Sequence, residues 1–296
     1  MHVPPALRPG DLIDVVAPSS PFDRALAWRG LGWLRQRYRV RFDPGVFETS
    51  GYLAGTDERR FAELDRAFRC PDSRAIVAVR GGYGLNRIAH RLPWDVFRSQ
   101  AKWLVGFSDI TALHVEAAAN DVASIHGPMV AMLGRGHAPT REAWIDALES
   151  PLRSRTWSNL RAISEGQATG QAFGGNLAML HACAAAGRLR VPRDAILFIE
   201  DVGERPYRID RTLTTLSVGG HFDQIRGVVL GEFIDCAPGL DGICVEDVVR
   251  EAFELRKVPV VAAFPIGHGF ANVPLHLGAR VELNAAADQA SLLLRW

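Results

Sequence analysis

Chemistry-bearing residues stand at four places where an apolar, β-prone run gives way to something else. Ser108 and Asp109 follow "KWLVGF" and precede the helix-prone "ITALHVEAAAND". The glycines of "GGYG", Gly81 to Gly84, follow "RAIVAVR". Glu200 ends "AILFIE" and Asp201 comes next. His268 lies between Gly267 and Gly269, just past "PVVAAF". A serine, a carboxylate and a histidine are the parts of acyl-transfer catalysis: a nucleophile, a base within about 2.6–3.2 Å of its hydroxyl, and an orienter that holds the imidazole tautomer. A glycine loop at a strand end lets backbone N–H groups approach an anion or oxyanion closely.

Each signal also has a plainer reading. Serine is a favoured helix N-cap, and G-F-S-D is not G-x-S-x-G, because Ile110 holds the last position. "GGYG" is not the dinucleotide fingerprint, because Arg87 stands where G-x-G-x-x-G needs its last glycine; it reads equally as a tight turn. An acid at a strand end is commonly just solvated, and a loop histidine is commonly just satisfied. The conjunction is stronger than its parts, since ligands of parallel sheets bind at the carboxyl ends of strands. Residues this far apart in sequence would have to converge across two domains, with the cleft between them as the natural place.

The elements that must position these residues follow from periodicity. Strands "LIDVVAPS", "YRVRFD", "RAIVAVR", "KWLVGF" and "ASIHGPM" alternate with helices "RALAWRGLGWLRQR", "TDERRFAELDRAFRC", "LNRIAHRL" and "ITALHVEAAAND". Thr56 is the expected N-cap of the second, with Asp57 and Glu58 in its positive first turn. Alternation with continuous apolar strands implies a parallel sheet covered on both faces. The Ser-, Arg- and Gly-rich stretch 150–175 lacks a clean apolar period and reads as a linker, with room for a hairpin. A second α/β unit follows: "NLAMLHACAAAG", "AILFIE", "DRTLTTLSVGG", "GVVLGEF", "VEDVVREAFEL", "PVVAAF", then the β-like runs "RVELN" and "ASLLLRW". The expected domains are 1–152, a linker 153–168, and 169–296. No repeat or low-complexity segment is present.

Composition excludes several classes. The 296 residues carry 34 Lys+Arg against 33 Asp+Glu, so no basic excess marks a nucleic-acid surface. No run of about 18 apolar residues could span a membrane, and the start shows no basic-then-apolar signal peptide. Cys70, Cys183, Cys236 and Cys244 form no C-x-x-C pair and read as free thiols of a cytoplasmic protein. The nine histidines include no H-E-x-x-H and no tight His/Cys cluster, so no metal is expected.

The motifs "RGGYG", "GFSDIT", "IED" and "GHG", in this order and spacing, resemble the LD-carboxypeptidases, serine peptidases that include murein tetrapeptide carboxypeptidases. "LRPGDLIDVVAPSS", "HGP" at His126 to Pro128, "GGNL" at Gly174 to Leu177 and "PYRIDR" at Pro206 to Arg211 extend the likeness over nearly the whole chain. The resemblance implies Ser108 as nucleophile, Glu200 as orienter and His268 as base. It implies a Rossmann-like (flavodoxin-like) parallel-sheet N-terminal domain, a smaller α/β C-terminal domain, and a homodimer. No cofactor is implied. A related branch cleaves microcin-type peptide–nucleotide antibiotics; the "RGGYG" form of the loop places this chain nearer the murein enzymes.

Ser108 is then expected to serve as both cap and nucleophile. The Asp109 N–H near the positive helix end and the Gly82 N–H are the expected oxyanion donors. The expected reaction releases D-alanine from a murein tetrapeptide, with Arg80 or Arg205 as a bidentate partner for the terminal carboxylate. A non-catalytic α/β small-ligand-binding protein, its glycine loop holding an anion, is the alternative of a different class.

Overall fold

The computed structural model describes residues 1–270 and 272–296. The chain is an α/β protein that divides into two compact units, one of residues 1–151 and 273–276, the other of residues 152–272 and 277–296.

The first unit is built on β1 (Leu12–Val16), α1 (Arg24–Arg35), β2 (Arg39–Arg41), α2 (Asp57–Arg69), β3 (Ser73–Ala78), α3 (Trp94–Ser99), β4 (Trp103–Gly106), α4 (Thr111–Ala119), β5 (Ser124–His126), α5 (Val130–Leu133) and α6 (Ala138–Glu149). β1 to β5 pair in parallel in the order 2-1-3-4-5. That is the flavodoxin-like order, with its switch point between β1 and β3. Ile13, Val15, Ile76, Val77, Val105 and Ile125 are buried, so both faces of the sheet are covered as continuous apolar strands require. The Thr56 hydroxyl accepts from the Arg59 N–H at 3.2 Å, with Asp57 and Glu58 in the first turn of α2. "LNRIAHRL" forms two short 3-10 turns, at Leu85–Arg87 and Ala89–Arg91, rather than one helix.

The second unit contains β6 (Arg155–Ser164), β7 (Gly166–Asn176), α7 (Leu177–Ala185), β8 (Ala195–Val202), α8 (Pro206–Val218), β9 (Ile225–Ile234), α9 (Val245–Glu254) and β10 (Val260–Ala262). It also contains β12 (Arg280–Ala285) and β13 (Ala290–Arg295), whereas β11 (Leu275–Leu277) lies mostly in the first unit. Its seven strands close into a barrel in the order β10-β6-β13-β12-β7-β8-β9. β7, β8, β9 and β10 run parallel, while β6, β12 and β13 add antiparallel pairs.

Two expectations are corrected. Residues 153–168 are not a linker: β6 and β7 follow one another across Glu165, and they do not pair as a hairpin. The β12–β13 hairpin inserts between them, so the stretch is barrel wall. Residues 273–276 belong to the first unit, and β11 adds a sixth strand to its sheet beside β5.

Candidate active site

In the first unit the chain leaves β4 through Phe107 in extended conformation (φ −152°, ψ −175°) and then reverses at Ser108, whose φ is +64°. A residue with a Cβ pays roughly 1–2 kcal/mol for left-handed backbone, so this turn is strained and lifts the side chain off the end of the strand. Ser108 opens the 3-10 turn Ser108–Ile110 that leads into α4, and its side chain caps neither segment. The expected capping role is therefore wrong: a residue inside the first helical turn cannot occupy the N-cap, a place taken by Phe107 and Ile110. Below the turn, the buried His114 imidazole bridges the Ser124 hydroxyl (2.9 Å) and the Gly106 carbonyl (2.9 Å). Burial drives the His114 pKa down to about 4, so the ring is neutral and donates from Nε2 to the carbonyl.

The glycine loop packs directly on this turn. A Cβ on Gly81 would lie 2.9 Å from the Ser108 Cβ and 3.2 Å from the Asp109 nitrogen. Gly82 has φ +112°, and a Cβ there would run into the Ser20 side chain. The Ser20 N–H donates to the Gly81 carbonyl (3.2 Å), and its hydroxyl accepts from the Tyr83 N–H (3.1 Å). The Gly82 N–H makes no backbone hydrogen bond among the described residues, so it is available to a ligand. The Asp109 side chain is buried, and its Oδ2 accepts from the Leu85 N–H at 3.0 Å. Burial pushes its carboxyl up, against the Ser19 hydroxyl, the Leu85 N–H and the Arg60 charge. Arg80 is exposed, and its Nη1 donates to the Pro21 carbonyl at 2.5 Å.

In the second unit β8 and the segment after β10 bring Glu200 and His268 together. His268 Nδ1 lies 2.7 Å from Glu200 Oε2. Glu200 is completely buried and His268 half-buried. A carboxylate can only accept, so Nδ1 carries the proton and Nε2 presents a lone pair. Gly267 has φ +134°, and a Cβ there would press on Glu200 Oε2 (3.2 Å) and the Glu232 Cβ (3.1 Å). Asp201, next to Glu200, is buried rather than solvated: its carboxylate accepts from Asn176 Nδ2 (3.0 Å), the Ala178 N–H (2.9 Å) and the Val202 N–H (2.8 Å). Burial raises its pKa. Asn176 also caps α7 through the Met179 N–H at 3.1 Å. Arg205 is exposed at the N-cap of α8.

One residue that touches the His268 loop has no counterpart among the residues expected from the sequence. Glu232, on β9, accepts from the Gly269 N–H at 2.7 Å, and a Cβ on Gly269 would overlap its carboxylate. Glu232 thus grips the backbone on one side of His268 while Glu200 grips its ring. The signal was present in the acid near the end of "GVVLGEF", the mirror of Glu200 ending "AILFIE". Among the described residues no group of three or more His, Cys, Asp or Glu side chains could hold a metal. No helix there is long and apolar enough to cross a membrane. All four cysteines are free thiols.

Residues 13–127 match the model of the LD-carboxypeptidase N-terminal domain, and residues 169–283 that of the LD-carboxypeptidase C-terminal domain. A putative carboxypeptidase of Synechocystis is 36% identical over 98% of this chain and 97% of its own. A murein tetrapeptide carboxypeptidase of Pseudomonas aeruginosa is 33% identical over 75% of this chain and 76% of its own. Among solved structures, a muramoyltetrapeptide carboxypeptidase from Oxalobacter formigenes superposes with a TM-score of 0.85 at 29% identity, covering 96% of this chain and 99% of that one.

Proposed function

The chain belongs to the LD-carboxypeptidase family of peptide hydrolases, and on that premise we propose that it cleaves the L–D bond before a terminal D-alanine in murein tetrapeptide, with Ser108, His268 and Glu200 as its catalytic triad. The reading rests above all on the 2.7 Å contact between His268 Nδ1 and the buried Glu200 carboxylate. That contact fixes the tautomer a general base needs.

In the proposed reaction His268 Nε2 takes the Ser108 proton as Oγ attacks the carbonyl of the L-residue. The oxyanion accepts from the Asp109 and Gly82 N–H groups. The C–N bond breaks as His268 returns the proton to the departing D-alanine amine. Water, deprotonated by the same imidazole, then hydrolyses the acyl-serine and regenerates the enzyme. A free terminal carboxylate calls for a cation. Arg205, exposed at the start of α8, or the exposed Arg80, which also donates to the Pro21 carbonyl, would supply it. The same reading makes the protein a cytoplasmic homodimer engaged in murein-peptide recycling.

Incubation with murein tetrapeptide, its terminally amidated form and its L-alanine epimer, followed by mass detection of the released amino acid, tests this. D-alanine should leave the free-acid peptide roughly ten- to a hundredfold faster than D-alaninamide or L-alanine leaves the other two, since amidation strands a cation without its partner. Equal rates on all three would make it a general serine peptidase. Cleavage of a peptidyl-adenylate alone would move it to the microcin-type branch.

A further inference from the structure

We propose that Arg60 and the Asp109 carboxylate are positioning residues that hold one peptide group, Gly84–Leu85, from its two ends and so set the oxyanion loop against the nucleophile turn. This rests on the assignment of Ser108 as nucleophile and of the Gly82 and Asp109 N–H groups as oxyanion donors.

Arg60, on α2, is completely buried. Its Nη1 donates to the Gly84 carbonyl at 3.1 Å and to the Pro18 carbonyl at 2.5 Å. Its Nη2 pairs with Asp57, which in turn pairs with Arg87 at 2.8 Å. The other end of the same peptide group, the Leu85 N–H, donates to Asp109 Oδ2 at 3.0 Å. A carbonyl held by a buried guanidinium and an amide held by a buried carboxyl oxygen restrict rotation of that peptide plane. The charge-assisted bond from Arg60 is about twice as strong as a neutral one.

Three features give the grip a catalytic rather than a merely structural consequence. Asp109 directly follows Ser108, so its backbone belongs to the nucleophile turn while its side chain belongs to the loop's anchor. Gly84 has φ +137°, and a Cβ there would lie 2.6 Å from Arg60 Nη1, so the close approach of the guanidinium requires glycine. The Pro18 carbonyl that shares Nη1 precedes Ser20, whose hydroxyl receives the Tyr83 N–H. Arg60 thus ties the exits of β1 and β3 together, and Asp109 ties the exit of β3 to that of β4. The separation of the Gly82 and Asp109 N–H groups follows from these two side chains. Oxyanion donors work only when held in place before charge develops.

The test compares Arg60→Lys, Arg60→Met, Asp109→Asn and Arg60→Met/Asp109→Asn with wild type and Ser108→Ala. Lysine keeps the charge in a foldable protein but lacks the planar fork whose two terminal nitrogens serve Gly84 and Pro18 on one side and Asp57 on the other. The expected result is a fall of about 10- to 100-fold in kcat for Arg60→Lys, with KM within threefold. Affinity for a peptidyl boronate, whose boron replaces the scissile carbonyl carbon, should fall in parallel. The double variant, free of an uncompensated buried charge, should lose less than the product of its singles. Wild-type kcat and boronate affinity in folded Arg60→Lys would overturn the inference, as would losses that multiply across the double variant. Activity surviving in Ser108→Ala would instead overturn the nucleophile assignment beneath it.

Discussion

Replacing Ser108 separates chemistry from backbone strain. Its φ of +64° is a conformation an L-residue reaches at a cost of roughly 1–2 kcal/mol, and glycine reaches freely. Glycine also loosens the unfolded chain, which takes back about 0.4–1 kcal/mol. Ser108→Gly should therefore fold more stably than wild type by about 0.5–1 kcal/mol, raising the melting midpoint by about 1–4 °C. Ser108→Ala keeps the Cβ and the strain, and removes a hydroxyl that caps neither helical segment. Its midpoint should stay within about 0.5 kcal/mol of wild type. Both variants should lose about 10⁶-fold in turnover. Calorimetry alongside D-alanine release reads both effects. A Ser108→Gly protein less stable than wild type would refute the strained turn. A folded variant keeping a tenth of the activity would refute the nucleophile.

Glu200→Gln should lower kcat by roughly 10³–10⁴-fold without unfolding the protein, because an amide can turn its NH₂ toward Nδ1 and leave the proton on the wrong nitrogen of His268; full activity at any pH from 6 to 9 would remove Glu200 from the site. Gly269→Ala puts a Cβ into the Glu232 carboxylate and should displace the His268 backbone, cutting kcat at least tenfold, whereas unchanged kinetics would show that Glu232 does not hold it. Glu63 is buried and accepts from the Ala17 N–H at 2.8 Å; burial pushes its carboxyl up to about 7. A carboxyl held above its ordinary 4.5 binds its proton more tightly folded than unfolded, so stability falls as pH rises through that window, by roughly 3 kcal/mol. Glu63→Gln should abolish that slope in melts between pH 5 and 8, and an identical slope in both proteins would assign it elsewhere.

The sequence by itself determined the alternation of strands and helices, hence a covered parallel sheet, because periodicity and caps are local properties: Thr56 caps α2 where its spacing requires. It also placed Ser108, "GGYG" and His268 beyond the ends of β4, β3 and β10, since each lies past an apolar run, but Glu200 lies inside β8, which continues to Val202. It did not disclose the barrel. β6 and β7 gain their partners from a hairpin more than a hundred residues downstream, and their sequences, Arg- and Ser-rich in β6 and Gly- and Gln-rich in β7, carry no local apolar period to read. β11 joins the first sheet for the same reason, as a three-residue strand recruited by pairing alone. The sign of the Ser108 φ, the burial of Arg60 and Asp109, and the grip of Glu232 on Gly269 were likewise decided by tertiary packing. A charged side chain in sequence carries no mark of whether water or a buried carbonyl will face it; only the folded chain supplies the partner that makes its burial affordable.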